Sequence, residues 1–170
     1  MKLKKHIIIW MTVLMLTGCA AVPTYETIGN VWGNTPMEQV PASIEFGLPD
    51  DVQMEVMETT DSCKSYQVGD WMLWTEIHAG GDLLATMEML TGLDADRLNI
   101  ISYPQGRYQC HETAWSVCAE EGEYAVRTVV IPYGQYHYCL SLKAPVQDAE
   151  QAGNFFSGIV RNVYLNDTAA

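Results

Sequence analysis

The chain has 170 residues, 48% of them hydrophobic, and it carries 21 acidic side chains against nine basic ones. This length favours a single domain and is sufficient to bury a hydrophobic core. The net charge of −12 argues against nucleic acid as a partner, because affinity for phosphate backbones comes from clustered Lys and Arg.

The first 18 residues have the three parts of a secretory signal peptide. Three lysines lie among the first five residues, an apolar stretch runs from Ile7 to Leu16, and small residues precede Cys19. The apolar stretch is shorter than the run of about 20 residues that a membrane-spanning helix needs. The segment therefore predicts export followed by cleavage, and not a permanent membrane span.

The sequence Leu16-Thr17-Gly18-Cys19 resembles the lipobox of bacterial lipoproteins. This resemblance implies cleavage before Cys19 and attachment of a diacylglycerol with palmitate-type chains to the cysteine thiol. Two acyl chains suffice for stable anchoring, since each buried methylene contributes about 0.8 kcal/mol. We expect a lipoprotein that is lipid-anchored on the outer, extracytoplasmic face of the cell membrane. The alternative is an ordinary signal peptide in which Cys19 has no role.

Removal of residues 1–18 takes three lysines away, which leaves six basic side chains against 21 carboxylates and a net charge of about −15. This charge opposes binding to anionic lipid headgroups, so membrane contact should depend on the lipid. Residues 19–43 contain three prolines and no sustained periodicity, and they are predicted to form the lipid attachment site and a tether. Residues 44–170 are predicted to form one globular domain.

The first part of this domain is predicted to contain two strands and a helix. Residues 52–56 alternate apolar and polar side chains, and residues 68–78 are rich in Trp, Met and Ile, so both segments have the pattern of strands. Gly80-Gly81-Asp82 then supplies a turn and a helix N-cap. Apolar residues recur at helical spacing as far as Gly92, which is typical of a C-terminal cap.

The second part predicts an antiparallel meander followed by a helix. Three strands are expected at about residues 107–119, 123–131 and 135–143, because turn residues separate them. Beyond Pro145, apolar residues at spacings of three and four predict a C-terminal amphipathic helix. The expected fold class is therefore α+β, a curved antiparallel β-sheet packed by helices.

This order of elements resembles small lipoproteins of Firmicutes with a Mog1/PsbP-like fold. The resemblance includes Tyr136-His137-Tyr138-Cys139-Leu140 on a late strand and a final helix that runs into Asn162-Val163-Tyr164-Leu165. It covers the last two thirds of the chain. It implies a binding or assembly factor and not an enzyme, although one fold hosts many functions.

Four cysteines remain after lipidation, namely Cys63, Cys110, Cys118 and Cys139. An exported protein reaches a compartment where disulfides form. A strand over 107–119 would place Cys110 and Cys118 about 26 Å apart on one face, which forbids a bond between them unless the chain bends. Either they pair with Cys63 and Cys139, or all four remain reduced as small buried hydrophobic residues.

Cysteine and histidine also lie close together in the sequence, at Cys110-His111 and His137-Tyr138-Cys139, with His78 as the third histidine of the mature chain. A catalytic thiol needs a base within hydrogen-bond distance. Adjacent residues on a strand point to opposite faces, so neither pair forms directly, although His111 and His137 could meet across strands. The alternative function is therefore an envelope hydrolase or a thiol redox enzyme.

The sequence contains no clustered spacing of metal ligands, so neither a metal nor another cofactor is expected. Aromatic side chains are the remaining signal in the predicted sheet: Trp71, Trp74, Trp115, Tyr124, Tyr133, Tyr136 and Tyr138. Such residues commonly pack in a core, and an exposed set would suit a protein interface or glycan stacking.

The candidate binding-face aromatics are Trp71, Trp74, Trp115, Tyr136 and Tyr138. The leading hypothesis is a non-enzymatic, lipid-tethered module at the cell envelope that binds a protein or another envelope component through its sheet face. A small-ligand pocket between sheet and helix is a third hypothesis.

Overall fold

The computed structural model describes residues 41–166. The predicted signal peptide, the lipidation site Cys19 and residues 20–40 of the predicted tether lie outside the described residues, as do residues 167–170. Within the described part, no helix is long and apolar enough to cross a membrane.

Nine strands and two helices make up the described domain. The strands are β1 (Ser43–Glu45), β2 (Glu55–Thr59), β3 (Cys63–Val68), β4 (Trp71–Ala79), β5 (Ile101–Gln105), β6 (Tyr108–Ala119), β7 (Gly122–Tyr133), β8 (Tyr136–Pro145) and β9 (Tyr164–Asn166). The helices are α1 (Leu83–Thr91) and α2 (Ala149–Arg161). Single turns of 3₁₀ helix lie at Ala95–Arg97 and Val146–Asp148.

Seven strands form one antiparallel sheet in the order β2-β3-β4-β8-β7-β6-β5, and β1 pairs with β9 in a separate two-stranded sheet. Strands β5 to β8 are a meander, in which each strand pairs with the next. Strand β4 pairs with β8, which joins the two halves of the chain. The predicted α+β class, the antiparallel meander and the C-terminal helix are confirmed.

Two of the predicted strands need correction. The segment 68–78 is divided by a turn at Gly69, whose φ of +59° favours glycine, so that β3 ends and β4 begins there. The strand expected at 52–56 lies instead at Glu55–Thr59. Val52 and Met54 lie before this strand. They are half-buried and pack against the core, which explains the apolar residue at every second position.

Helix α1 has the caps that the sequence predicts. The Asp82 carboxylate accepts a hydrogen bond from the Leu84 N–H at 2.9 Å, and Gly92 closes the helix with φ +67° while its N–H donates to Glu88 O. The helix packs through its buried Met87 against Val130 and Cys139 of the sheet. It therefore covers part of one sheet face.

Helix α2 covers the opposite face, where the main core lies. Phe156 and Ile159 of the helix are buried with Leu140 and Val129 of the sheet in a single hydrophobic cluster. Strands β1 and β9 close the same side of the domain. Ala42, within the predicted tether, is buried there, and its N–H donates to the Tyr138 hydroxyl at 2.9 Å.

Candidate binding surface

The register of the sheet separates the aromatic side chains into two groups. Trp74 on β4 pairs with Ser141 on β8. Ser141 pairs in turn with Thr128 on β7, and Thr128 pairs with Thr113 on β6. Trp115 follows Thr113 by two residues, and alternate residues of a strand share a face. Trp74 and Trp115 therefore lie on the same face, roughly 16 Å apart, because three strand spacings of about 4.8 Å separate β4 from β6 and the two-residue offset along the strand adds about 7 Å in the perpendicular direction.

The other three candidate aromatics lie on the opposite face, under α2. Tyr138 is only 3% exposed, and its ring packs against the half-buried Tyr136. Trp71 packs against Phe155 of α2, with ring centroids 5.4 Å apart, and its indole N–H donates to Asp148 at 3.4 Å. Trp71, Tyr136 and Tyr138 thus belong to the core side and are not brought together with Trp74 and Trp115.

Several partly exposed side chains accompany Trp74 and Trp115, and we call the set the aromatic surface. It consists of Met72, Trp74, Trp115, Val117, Tyr124 and Lys143. These residues share one sheet face, because Met72 pairs with Lys143, Lys143 with Val126, and Val126 with Trp115, in one row across β4, β8, β7 and β6. Helix α1 packs against another part of the same face. Met72 is 41% exposed and Val117 39% exposed.

Polar contacts hold the rings of this surface in place. The Trp74 indole N–H donates to the Glu76 carboxylate at 3.1 Å. The ammonium of Lys143 lies 4.0 Å from the centroid of the Tyr124 ring, within the range of a cation–π interaction. Between the tryptophans, the buried hydroxyls of Thr128 and Ser141 hydrogen-bond each other at 2.7 Å. The surface is therefore arranged before any partner binds.

The three histidines of residues 41–166 lie on this same sheet face, beside α1. His78 and His137 stand directly opposite each other on β4 and β8. The buried His137 contacts the Thr86 hydroxyl through Nδ1 at 2.8 Å, and burial followed by the neighbouring His78 and His111 lowers its pKa. His111 contacts Ser102 at 2.8 Å, and burial lowers its pKa too.

Three of the four cysteines of the described domain have a raised pKa. Burial raises the pKa of Cys110 to about 11, and burial followed by the Glu76 carboxylate raises the pKa of Cys139 and of Cys63. A raised pKa leaves the thiol protonated, whereas a nucleophile must be a thiolate. Cys110 also lies on the α2 side of the sheet, away from His111.

All four cysteines of the described domain are free thiols. Cys63 and Cys139 lie on either side of Glu76 in one row, two strand spacings or about 10 Å apart. A disulfide needs Cα atoms within about 7 Å. The two predicted pairings of Cys110 and Cys118 with Cys63 and Cys139 stay predictions. No group of three or more His, Cys, Asp or Glu in residues 41–166 has metal-binding geometry.

Two clefts lie on the α2 side of the sheet. The larger, of about 450 Å³, is bounded by residues 41–44, by the β2–β3 turn and by Thr75 and Ile77 of β4, with Lys64 as its basic residue. The smaller, of about 230 Å³, lies between the sheet and α2 and is lined mainly by alanines together with Arg127 and Gly153. The Arg127 guanidinium is engaged there by the Glu112 carboxylate and by the Gly153 carbonyl.

Comparisons with known proteins show similarity of fold. No family model matches the chain, and no curated protein matches it. Among solved structures, a protein of Bacteroides thetaiotaomicron is similar with a TM-score of 0.55 and 10% identity, over 75% of this chain and 46% of that one. The chain thus spans less than half the length of that relative.

LpqN of Mycobacterium tuberculosis, described as involved in cell envelope biogenesis, is similar with a TM-score of 0.50 and 13% identity, over 74% of this chain and 86% of LpqN. At these identities the similarity concerns the fold alone. The membership in Firmicutes lipoproteins and the Mog1/PsbP-like assignment therefore stay predictions. The chain has a fold that is also found in an envelope-biogenesis protein.

Proposed function

We propose that this protein is a non-enzymatic lipoprotein, anchored by a diacylglycerol on Cys19 at the outer face of the cytoplasmic membrane, that binds another envelope protein through the aromatic surface. In this proposal the chain is a small lipoprotein of the Firmicutes type with a Mog1/PsbP-like fold. The surface carries the binding, and the lipid keeps it at the membrane.

The observation that carries the proposal is the placement of Trp74 and Trp115 on the sheet face away from α2. Both side chains are half-buried, and each is flanked two residues along its strand by an exposed aliphatic side chain, Met72 beside Trp74 and Val117 beside Trp115. Tryptophan, tyrosine and methionine are enriched at protein interfaces, where large rings bury much area at low entropic cost. Apolar side chains that are exposed on one face of a domain are a common feature of interaction sites.

A protein partner fits this surface better than a glycan. Sugar rings stack on the open face of an aromatic ring, but Lys143 already lies over the Tyr124 ring. The Trp74 N–H is engaged by Glu76, and the two most exposed members of the surface, Met72 and Val117, are aliphatic. Aliphatic and aromatic side chains with one basic group form the apolar centre and polar rim that protein interfaces have.

Three further observations support a lipid-anchored envelope protein that is not a thiol enzyme. LpqN, which shares the fold, is described as involved in cell envelope biogenesis. The raised pKa values of Cys63, Cys110 and Cys139 oppose the alternative of a thiol redox enzyme or cysteine hydrolase. Membrane attachment by lipid also agrees with the strongly acidic composition, which disfavours direct binding to anionic headgroups.

The binding role is tested by site-specific photo-cross-linking in the native cell. A photoreactive amino acid at position 72 or 117 should give a discrete cross-linked protein, and Trp74→Ala with Trp115→Ala should abolish that product. Position 89, where Met89 is exposed on α1, is the matched control and should give none. A product that glycan-degrading enzymes remove would overturn the choice of a protein partner, and no product at either position would reject the surface.

The anchor is tested separately. Metabolic labelling with an alkyne analogue of palmitate should label the wild-type chain in the membrane fraction. Cys19→Ala should remove both the label and the membrane association. Persistence of membrane association in the unlabelled variant would reject a lipid as the anchor.

A further inference from the structure

The seven-stranded sheet has two edges, β2 and β5, and they differ in their capacity to accept another strand. Strand β5 contains Pro104, which lacks the N–H that strand pairing uses. Strand β2 contains no proline, and all five of its residues are exposed. Val56 is 59% exposed and Met57 58% exposed, so this edge presents backbone groups together with apolar side chains.

The β2 edge is also acidic. Glu55 and Glu58 lie on the strand, and Asp50, Asp51 and Asp61 lie close by in the sequence. Within residues 41–166, none of these five carboxylates has an ion-pair partner. Their charge is therefore available to an incoming chain.

The negative charges of β2 oppose edge-to-edge pairing with the β2 strand of a second copy of this chain. If two copies paired edge to edge, the glutamates of one β2 would approach those of the other, and like charges facing each other on paired strands are destabilising. The irregular register between Val56 and Glu58 also shortens the ladder that two identical edges could form. A strand carrying Lys or Arg would meet no such repulsion.

We propose that β2 is a docking edge for an extended, positively charged segment of a partner protein, which adds to the sheet as an eighth strand. Backbone hydrogen bonds supply affinity in this mode of recognition, and alternate side chains supply specificity. The segment alternates basic and apolar residues. This inference rests on the binding role proposed above, but it uses a different surface.

The register fixes which face receives the basic side chains. Glu55 pairs with Gln67, which lies opposite Met72, and Glu58 pairs with Ser65, which lies opposite Trp74. Both glutamates thus share the face of the aromatic surface. Basic residues of the added strand face these glutamates, and its apolar residues lie on the other face, beside Val56. An added strand would lie on the same sheet as the aromatic surface, with β2 and β3 between it and Trp74.

The test uses two capped hexapeptides, Lys-Val-Lys-Val-Lys-Val and Glu-Val-Glu-Val-Glu-Val, with the mature lipidated protein in neutral detergent micelles. The basic peptide should bind, slow hydrogen exchange in residues 55–59, and bind more weakly as salt is raised. The acidic peptide should not bind. Glu55→Lys with Glu58→Lys should weaken binding of the basic peptide by about tenfold, the effect of roughly 1.4 kcal/mol.

Two controls separate this site from general attraction of a basic peptide to an acidic protein. Glu120→Lys with Glu121→Lys makes the same change of charge in the exposed β6–β7 turn and should leave binding within about twofold of wild type. Ile101→Lys alters the exposed Ile101 of the other edge and should also leave it unchanged. Equal weakening by the two glutamate pairs, or protection of β5 in place of β2, would overturn the proposal.

Concentration-dependent dimerisation with protection of β2 in the absence of peptide would instead identify a second copy as the occupant. The outcomes also distinguish the two proposals. Peptide binding at β2 without cross-linking from position 72 would reject only the proposal that the aromatic surface binds a partner. Cross-linking from position 72 without peptide binding would reject only the proposal that β2 is a docking edge.

Discussion

Gly153 of α2 lies so close to Arg127 of β7 that a Cβ atom on the glycine would be 2.7 Å from Nη1 of the arginine. That nitrogen donates to the Gly153 carbonyl oxygen at 3.1 Å, while the other end of the guanidinium is ion-paired with Glu112. Glu112 also accepts a hydrogen bond from the Tyr103 hydroxyl at 2.9 Å. One arginine therefore connects the helix to two neighbouring strands through a glycine that makes room for it.

This relationship predicts opposite effects of two glycine substitutions in the same helix. Gly153→Ala should destabilise the domain by about 1 kcal/mol, because the anchored guanidinium must move and lose hydrogen bonds. Gly158 has no atom within 4 Å of its Cβ position, so Gly158→Ala should stabilise by up to about 1 kcal/mol through helix propensity. Urea unfolding of both variants gives the comparison. Equal stabilisation by both would mean that Arg127 moves aside without cost.

The buried histidines predict a loss of stability in mild acid. Burial lowers the pKa of His137 and of His111, with the neighbouring histidines as a further cause for His137 and Asp82 acting in the opposite direction. The unfolded chain therefore binds protons first as the pH falls. The stabilisation is fully present above the ordinary histidine pKa of about 6.5 and is lost as the pH falls through the lower folded-state values.

Urea midpoints measured at pH 7.5, 6.5 and 5.5 test this sign. We expect a small fall of the midpoint between pH 7.5 and 6.5, where the histidines of the unfolded chain begin to bind protons, and a larger fall between pH 6.5 and 5.5. His111→Gln with His137→Gln should flatten that fall. A wild-type midpoint that rises in acid would contradict the prediction, because it would require a raised histidine pKa in the folded state. Glu45, whose pKa is lowered chiefly by hydrogen bonds from Tyr164 and Asn166, titrates below this window.

The extent to which the sequence predicted this fold depended on how local the signals are. Strands β6, β7 and β8 are long, alternate clearly and are separated by turn residues, so each was predicted to within about three residues. The caps of α1 were predictable because Asp82 and Gly92 act on adjacent backbone. The short strands β1, β5 and β9 have three to five residues, too few for a period, and β1 pairs with β9 only after the chain has folded.

The candidate site was predicted less completely, for a related reason. Alternation shows which residues of one strand share a face, but it cannot relate the faces of distant strands. The pairing of β4 with β8 decided that Trp74 lies with Trp115 and that Trp71 lies with Tyr138. Met72 was part of the same alternating segment as Trp74, so its participation could have been found from the sequence.

Thiol reactivity provides an independent measure of the core. Cys110 and Cys139 are buried and have raised pKa values, whereas Cys118 is exposed. Iodoacetamide at pH 8 should therefore alkylate Cys118 in the folded protein, and Cys110 and Cys139 only after urea is added. Peptide mass spectrometry locates the label. Rapid alkylation of Cys139 in the folded state would restore the thiol-enzyme alternative, and a disulfide-linked peptide would restore the disulfide hypothesis.

The hydrogen bond between the Tyr138 hydroxyl and the Ala42 N–H, 2.9 Å long, fixes the start of the described domain to the middle of its sheet. Both residues are buried, so removal of the hydroxyl leaves a backbone donor without water. Tyr138→Phe should cost about 1–2 kcal/mol and should increase hydrogen exchange in residues 42–45, the start of the domain and strand β1. Tyr164→Phe is the matched control, since its hydroxyl contacts Glu45 at the exposed surface, and it should change stability less. If exchange in residues 42–45 rises equally in both variants, then the buried hydrogen bond to Tyr138 holds β1 no more firmly than the exposed contact does.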